Sequence, residues 1–261
     1  MTETCPTEFI ALAERLADAA GDVVMRHFRR PIGIDDKADE SPVTVADRDA
    51  ESAMRRLIAD AFQEHGTIGE EHGADSPDAE LVWVLDPIDG TKAFLSGIPV
   101  FGTMIALLRH GRPILGIVNQ PVTGERWVGA AGHPTTLNGK PVRTVPRGGL
   151  ADAVLWSTSP EMFEQDPADR SAHDRLRRSV KFIHYGGECY QYAMLASGFV
   201  DLVMEADLDV YDFMAHIPII EGAGGTVTDW AGRPLGLHCD GRVLAAAGPA
   251  LHQAAVRVLT G

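Results

Sequence analysis

The stretch LVWVLDPIDGTKAFLSGIP, Leu81 to Pro99, constrains this chain more than any other. Leu81 to Leu85 are all apolar and read as a buried strand, yet that strand closes on Asp86 and Asp89. Aspartate is a poor strand residue, and two carboxylates at one strand end repel unless something positive lies between them. Pro87 fixes its own φ and removes a donor, which predicts a sharp turn over Asp86–Asp89. Both carboxylates and the Ile88 carbonyl then aim at one point. These are hard oxygen ligands that suit Mg²⁺ or Mn²⁺, whereas zinc prefers His and Cys. Gly90 and Thr91 stand where a helix can begin, with free N–H groups for a phosphate oxygen and a hydroxyl able to orient a water. In isolation DPIDGT also fits an Asp-Gly turn with Asp86 as a helix cap. Glu70 and Glu71, ending the preceding strand TIGEEHG, favour the cation. Neighbouring strands can bring Glu70 beside Asp86, and only a cation makes that crowding tolerable.

The remaining sequence bounds the class. A chain of 261 residues forms one large domain or two close-packed halves. The formal net charge of −14 argues against nonspecific nucleic-acid binding and against anionic membranes, both of which need excess Lys and Arg. Cys5, Cys189 and Cys239 are far apart and odd in number, which predicts reduced thiols rather than a disulfide framework. Glu3, Glu8 and Glu14 interrupt any basic-then-apolar leader pattern, and no apolar run reaches the roughly 18 residues of a membrane span. The expectation is a soluble cytoplasmic protein.

Periodicity supplies the frame. Phe9, Leu12, Ala13, Leu16, Ala20, Val23, Val24 and Phe28 predict an amphipathic helix over 7–30, stopped by Pro31. Thr44 and Asp47 are spaced as the capping box of a second helix with Ala50, Ala53, Leu57, Ile58 and Ala61 on its apolar face. FGTMIALLRHGRPILGIVNQP reads as a hairpin turning at RHGRP, and ERWVGAA as a third strand. The Pro- and Gly-rich segment near residue 148 marks an internal boundary. It divides a helix-pair and antiparallel-sheet half (1–148) from an alternating α/β half (149–261) within one catalytic unit. In the second half the pattern predicts strands at AVLWSTS, KFIHYGG, VDLVMEA, TVTDW and RVLAAAG. Helices are predicted over 161–178, at ECYQYAMLASGF, at DVYDFMAHIPIIEGAGG and at PALHQAAVRVLTG.

GEEHG, WVLDPIDGTKAF and YDFMAHIPIIEGAGG, in that order and separation, resemble the motifs of the inositol monophosphatase family of metal-dependent phosphomonoesterases. The resemblance spans essentially the whole chain. It implies a five-layered α-β-α-β-α sandwich of the α/β (α+β) class and two to three Mg²⁺ ions, with Mn²⁺ a possible substitute. Glu70, Asp86 and the Ile88 carbonyl would hold one ion; Asp86, Asp89 and Asp212 a second; Asp47, with Glu70 and waters, would assist a weaker third. Thr91 matches the threonine that, with Glu70, activates the attacking water, and Gly90 and Thr91 supply phosphate-binding amides. Relatives are commonly homodimers, which makes a homodimer the expectation here.

Other readings fit less well. A covalent aspartyl-phosphate mechanism needs carboxylates two apart, not three, and leaves Glu70 without a task. GAGG, Gly222 to Gly225, follows a helix rather than a strand, so it reads as a helix C-terminal turn and not a nucleotide loop. His27, His65 and His110 fall on helix ends or turns and show no zinc-ligand spacing, while Trp83 and Trp127 read as core. GTKAF, ERWVGAA and GGECYQYAMLASGFVDLV look closest to the histidinol-phosphate phosphatase branch, with inositol 1-phosphate or a broader set of small phosphomonoesters as the alternative. Histidinol phosphate carries a cationic amine, so its pocket should offer acid: Glu188 and Glu205 are the candidates, with Asp89, Gly90, Thr91, Lys92 and Asp212 completing the substrate site. A metal-binding relative without catalysis is the remote alternative, opposed by the intact set Glu70, Asp86, Asp89, Thr91 and Asp212.

Overall fold

The computed structural model describes residues 4–31, 34–36 and 42–261. Helix α1 (Thr7–His27) buries Phe9, Leu12, Leu16, Ala20 and Val24 along one stripe. It ends three residues short of the expected 30. Phe28 leaves the helix to pack on Phe94 and Phe101, ring centroids 5.8 and 5.1 Å away, and Arg29 takes a left-handed φ of 57°. A ribbon of β1 (Ile34–Asp36) and β2 (Pro42–Thr44) leads into helix α2 (Val45–Ala61), which starts at Thr44 with the predicted capping box. The inward face of α2 differs from expectation. Ala50 and Ile58 are buried, Ala61 is exposed, and Asp47, Glu51 and Met54 face inward.

Strand β3 (Gly66–Gly69) lies between β4 (Gly73–Asp75), antiparallel, and β5 (Leu81–Asp89), parallel. After the short helix α3 (Thr91–Leu95), strands β6 (Gly102–Arg109) and β7 (Arg112–Gln120) form the expected hairpin. Its turn residues His110 and Gly111 both have positive φ, 49° and 73°, the signature of a type I′ turn. With β8 (Glu125–Ala130), β9 (Thr136–Leu137) and β10 (Lys140–Pro141) the sheet runs β10-β9-β8-β7-β6-β5-β3-β4. The short strands β4, β9 and β10 left no pattern in the sequence.

The second sheet has the order β12-β11-β13-β15-β14, from β11 (Val154–Ser157), β12 (Phe182–Tyr185), β13 (Leu202–Glu205), β14 (Thr226–Thr228) and β15 (Val243–Ala246). Its helices are α4 (Pro167–Ser179), α5 (Glu188–Ala196), α6 (Val210–Phe213), α7 (His216–Gly222) and α8 (Pro249–Thr260). The helix expected over 161–178 is split into a 3-10 turn at Glu161–Phe163 and α4. Pro167 at the first helical position and the Asp166 side chain, accepting from the Ala168 N–H at 2.8 Å, set the later start. DVYDFMAHIPIIEG likewise forms two helices, α6 and α7. As expected, Gly224, with φ 93°, closes the helix C-terminus of α7.

Residues alternate between the faces of the larger sheet. Trp83, Leu85, Ile105, Leu107 and Ile117 join α1 and α2 in one core; Val82, Val84, Met104, Ala106 and Trp127 join α5 to α7 in another. Helices α5 and α7 contact strands of both sheets, and Leu155, Leu202, Met204 and Leu244 form a third core with α4 and α8. Among the described residues the result is the α-β-α-β-α sandwich that the resemblance implies.

The depth of α7 on the sheet is set by a window without side chains. Gly116 and Gly129 are opposed across β7 and β8. A Cβ on Gly116 would lie 2.0 Å from the Ala215 carbonyl oxygen, and one on Gly129 would lie 2.4 Å from the Ile219 backbone. Gly116→Ala should therefore cost about 1–3 kcal/mol of stability in urea unfolding. Gly149→Ala, where a Cβ meets nothing within 4 Å, should stay within about 0.5 kcal/mol.

Candidate active site

The segment DPID does not turn sharply. Strand β5 continues to Asp89 through a β-bulge: Asp86 pairs with Met104 and Asp89 with Gly102, so three steps on β5 face two on β6. In a regular strand, residues three apart point to opposite faces. The extra residue re-aims Asp89 to the side of Asp86. Pro87 is tolerated because a bulge leaves one donor unpaired, and its carbonyl accepts from the Thr103 hydroxyl at 2.9 Å.

Around this bulge the fold gathers carboxylates from separate elements. The parallel register Gly69↔Leu85 carries Glu70 to the side of Asp86, and the Glu70 N–H donates to the Leu85 carbonyl at 3.2 Å. Asp212 arrives from α6, and one oxygen each of Asp86, Asp89 and Asp212 lie within 4.8 Å of one another. Asp47 and Asp212 are held by the same device. Each is the third residue of its helix and accepts from the N-cap backbone, Asp47 from Thr44 at 2.9 Å and Asp212 from Asp209 at 2.7 Å. That bond engages the Oδ2 of Asp47, whose Oδ1 faces the Thr91 hydroxyl at 3.5 Å; the same hydroxyl is 3.2 Å from the Ile88 carbonyl. Gly90, with φ 83°, makes the corner from which α3 starts at Thr91.

A cleft of about 160 Å³ opens beside Asp89 and Asp212, with Glu188, Glu205, Tyr192 and His216 in its wall. Glu188 starts α5 with a positive φ of 46°, and its side chain fills the space a Cβ on Gly90 would take. The Cys189 N–H donates to Asp89 at 2.5 Å. Glu205 is buried at the end of β13 and accepts from the Thr158 N–H at 3.2 Å. Lys92 is exposed, and its charge acts on Glu188. Tyr192 and His216 are among the cleft residues that the sequence did not single out. His216, 1% exposed, stacks on Tyr192 with centroids 4.0 Å apart, and among the described residues neither ring nitrogen has a hydrogen-bond partner. His216 stands four residues after Asp212, but a single histidine in a largely apolar helix offered no ligand motif. His65 also departs from an ordinary polar position: its ring stacks on Phe62 at 4.4 Å and accepts from Trp83 Nε1 at 3.1 Å. Trp83 and Trp127 are fully buried, as expected. The three cysteines are free.

The electrostatics ask for a cation. Burial first, then the charges of Glu70, Asp89 and Asp212, hold the Asp86 carboxyl well above the usual range. Burial followed by Glu188 and Glu205 does the same to Asp89, and burial followed by Asp89 to Asp212. Burial and Glu205 push Glu188 up to about 7 against the pull of Lys92. Asp86 Oδ1 is buried with no hydrogen-bond partner among the described residues. Crowded carboxylates with an orphaned oxygen and no nitrogen or sulfur ligand among them fit a hard divalent cation.

A layered fold of this kind, closing on carboxylates of this kind, defines a metal-dependent phosphatase. The chain belongs to the inositol monophosphatase family, whose sequence model matches residues 6–260. It is similar to the chloroplastic bifunctional phosphatase IMPL2 of Arabidopsis thaliana, 49% identical over 89% of this chain and 67% of that protein. It is 35% identical to a histidinol-phosphatase of Chlorobaculum parvum, over 87% of this chain and 88% of the other. Among solved structures, an inositol monophosphatase from Zymomonas mobilis superposes with a TM-score of 0.89 at 45% identity, covering 98% of each chain. Among the described residues, no helix is long and apolar enough to cross a membrane.

The raised carboxyls fix the sign of a pH effect. Each binds its proton more tightly folded than unfolded, so without metal its contribution to stability is full below the ordinary carboxyl range. It is lost as pH rises through the folded value, about 7 for Glu188. Buried His65, His173, His216 and His252, all shifted down by burial, act in the opposite sense, so the metal-dependent increment is the clean readout. The rise in Tm from EDTA to millimolar Mg²⁺ should be larger at pH 8 than at pH 5.5. An equal rise at both would exclude this cluster as the metal site.

Proposed function

We propose that the chain hydrolyses L-histidinol phosphate to L-histidinol and phosphate, with two to three Mg²⁺ ions bound by the acidic cluster and Mn²⁺ able to replace them. The observation that carries this reading is the acid at the leaving-group end: Glu188, Glu205 and Asp89 line a cleft beside the carboxylate trio, where a cationic amine neutralises them and an uncharged polyol does not. Histidinol-phosphatases among the relatives support it.

Glu70, Asp86 and the Ile88 carbonyl would hold one ion, Asp86, Asp89 and Asp212 another, and Asp47 would assist a weaker third. Bound there, divalent cations lower the pKa of water and neutralise charge on phosphate and departing alkoxide. The Thr91 hydroxyl, 3.5 Å from Asp47 and 3.2 Å from the Ile88 carbonyl, donates to one of them and keeps its lone pairs to accept from a water. Glu70 takes the proton as the water oxygen attacks phosphorus in line with the ester oxygen. Gly90 and Thr91 offer backbone N–H groups to phosphate oxygens, and Lys92 adds positive charge beside Glu188. The leaving oxygen is protonated from solvent. We also propose a homodimer, which light scattering on a sizing column checks.

A second reading, inositol 1-phosphate, is favoured by the likeness to the Zymomonas mobilis inositol monophosphatase. Phosphate release from the two esters, side by side with Mg²⁺ and with EDTA, separates them. A preference for histidinol phosphate of about 100-fold in kcat/KM, roughly 2.7 kcal/mol, is expected. The reverse preference would remove the acidic-pocket argument and leave the metal chemistry standing. Asp89→Asn should lower kcat by at least about 100-fold on either ester. Metal binding without hydrolysis of either would favour a non-catalytic relative.

Glu188→Gln should lower kcat/KM for histidinol phosphate by about 10-fold or more and leave inositol 1-phosphate within about threefold. Equal losses on both esters would make Glu188 part of the phosphate site instead.

A further inference from the structure

Glu51 on α2 is fully buried and lies outside the cleft. A buried carboxylate is costly unless its oxygens are bonded, and an apolar side chain would fill a helix–sheet interface at less cost. What Glu51 binds explains its presence. Its carboxylate accepts the Glu71 N–H at 2.7 Å, the His72 N–H at 3.3 Å and Arg55 Nε at 2.7 Å. Arg55 donates onward to the Thr67 hydroxyl on β3 at 2.6 Å and to the Gly73 carbonyl where β4 begins. The His72 ring lies 2.9 Å from the Ser52 hydroxyl and 3.1 Å from the Arg48 carbonyl.

Helix α2 thus grips the backbone on the C-terminal side of Glu70 and the strand on its N-terminal side. Gly69 makes the approach possible, since a Cβ there would lie 2.0 Å from Glu51 Oε1. Asp47, Glu51 and Arg55 recur every four residues, so they share one face of α2. The first reaches Thr91, the second the turn after Glu70, the third strand β3.

We propose that Glu51, braced by Arg55, is a positioning residue of the metal site: by binding the N–H groups of Glu71 and His72 it holds Glu70 against Asp86. The inference rests on the reading of Glu70 as a metal ligand. Residues that orient ligands from behind typically change metal affinity by about 10–100-fold when replaced.

The test is Mn²⁺ binding followed by electron paramagnetic resonance, well below each unfolding midpoint, for wild type, Glu70→Gln, Glu51→Gln and the milder His72→Ala. Amide exchange over residues 69–73 is measured in parallel. Glu70→Gln and Glu51→Gln should each weaken Mn²⁺ binding about tenfold or more, and His72→Ala about threefold. Exchange at the Glu71 and His72 amides should quicken in Glu51→Gln. A folded Glu51→Gln that loses stability but binds Mn²⁺ like wild type, while Glu70→Gln does not, would make Glu51 a purely structural brace and overturn the proposal. If Glu51→Gln does not fold, Glu51→Asp takes its place: it keeps the charge but draws the carboxylate back from the Glu71 and His72 N–H groups, and wild-type Mn²⁺ affinity there overturns the proposal equally. Wild-type binding by Glu70→Gln would sink the reading of Glu70, and this inference with it.

Discussion

Mutual repulsion among buried carboxylates is the constraint on which the rest depends. Asp86, Asp89 and Asp212 approach within 4.8 Å, with Glu70 beside Asp86, and burial and neighbouring charge raise all three aspartates well above their ordinary values. A fold does not collect such groups by packing alone, because each costs free energy that only a cation returns. The surrounding structure supplies rigidity to hold them together until the cation arrives.

That rigidity comes from backbone devices more than from side-chain contacts. The bulge in β5 turns Asp86 and Asp89 to one side. Capping boxes hold Asp47 and Asp212 by one oxygen each. The glycine pair Gly116 and Gly129 lets α7 lie against the sheet, and so sets how far the α6–α7 segment enters the site. Each device fixes a carboxylate through hydrogen-bonded backbone or close packing, so little conformational entropy remains to be lost when metal and substrate bind.

Much of the frame was legible in residue order. The α1 stripe, the Thr44–Asp47 cap, the hairpin at His110-Gly111 and the alternating second half all follow from local periodicity and turn chemistry, which act within a few residues. Helix ends were less legible: Phe28 left α1 for a tertiary contact with Phe94 and Phe101. Asp166 and Pro167 started α4 after a separate turn. Polar residues facing inward were least legible, because the apolar pattern of α2 gave no reason to place Glu51 inside, and a lone His216 four residues after Asp212 matches no ligand spacing that would mark it as cleft wall.

By itself, the sequence determined where hard oxygen donors crowd, at Glu70, Asp86 and Asp89 with the Thr91 hydroxyl close by, because hard cations select ligands by atom type; Asp212 joined them only through the family resemblance. Periodicity also determined the helix pair, the antiparallel strands and the alternating second half, whereas the layer order came from the resemblance. Only the tertiary structure decided that DPID is a bulge rather than a turn, because the extra residue shows only against the register of β6. It also decided that Glu188, Glu205 and His216 share one cleft wall. These groups come from three elements, and their distance depends on how deeply helices seat between two sheets, a packing outcome that no local spacing encodes.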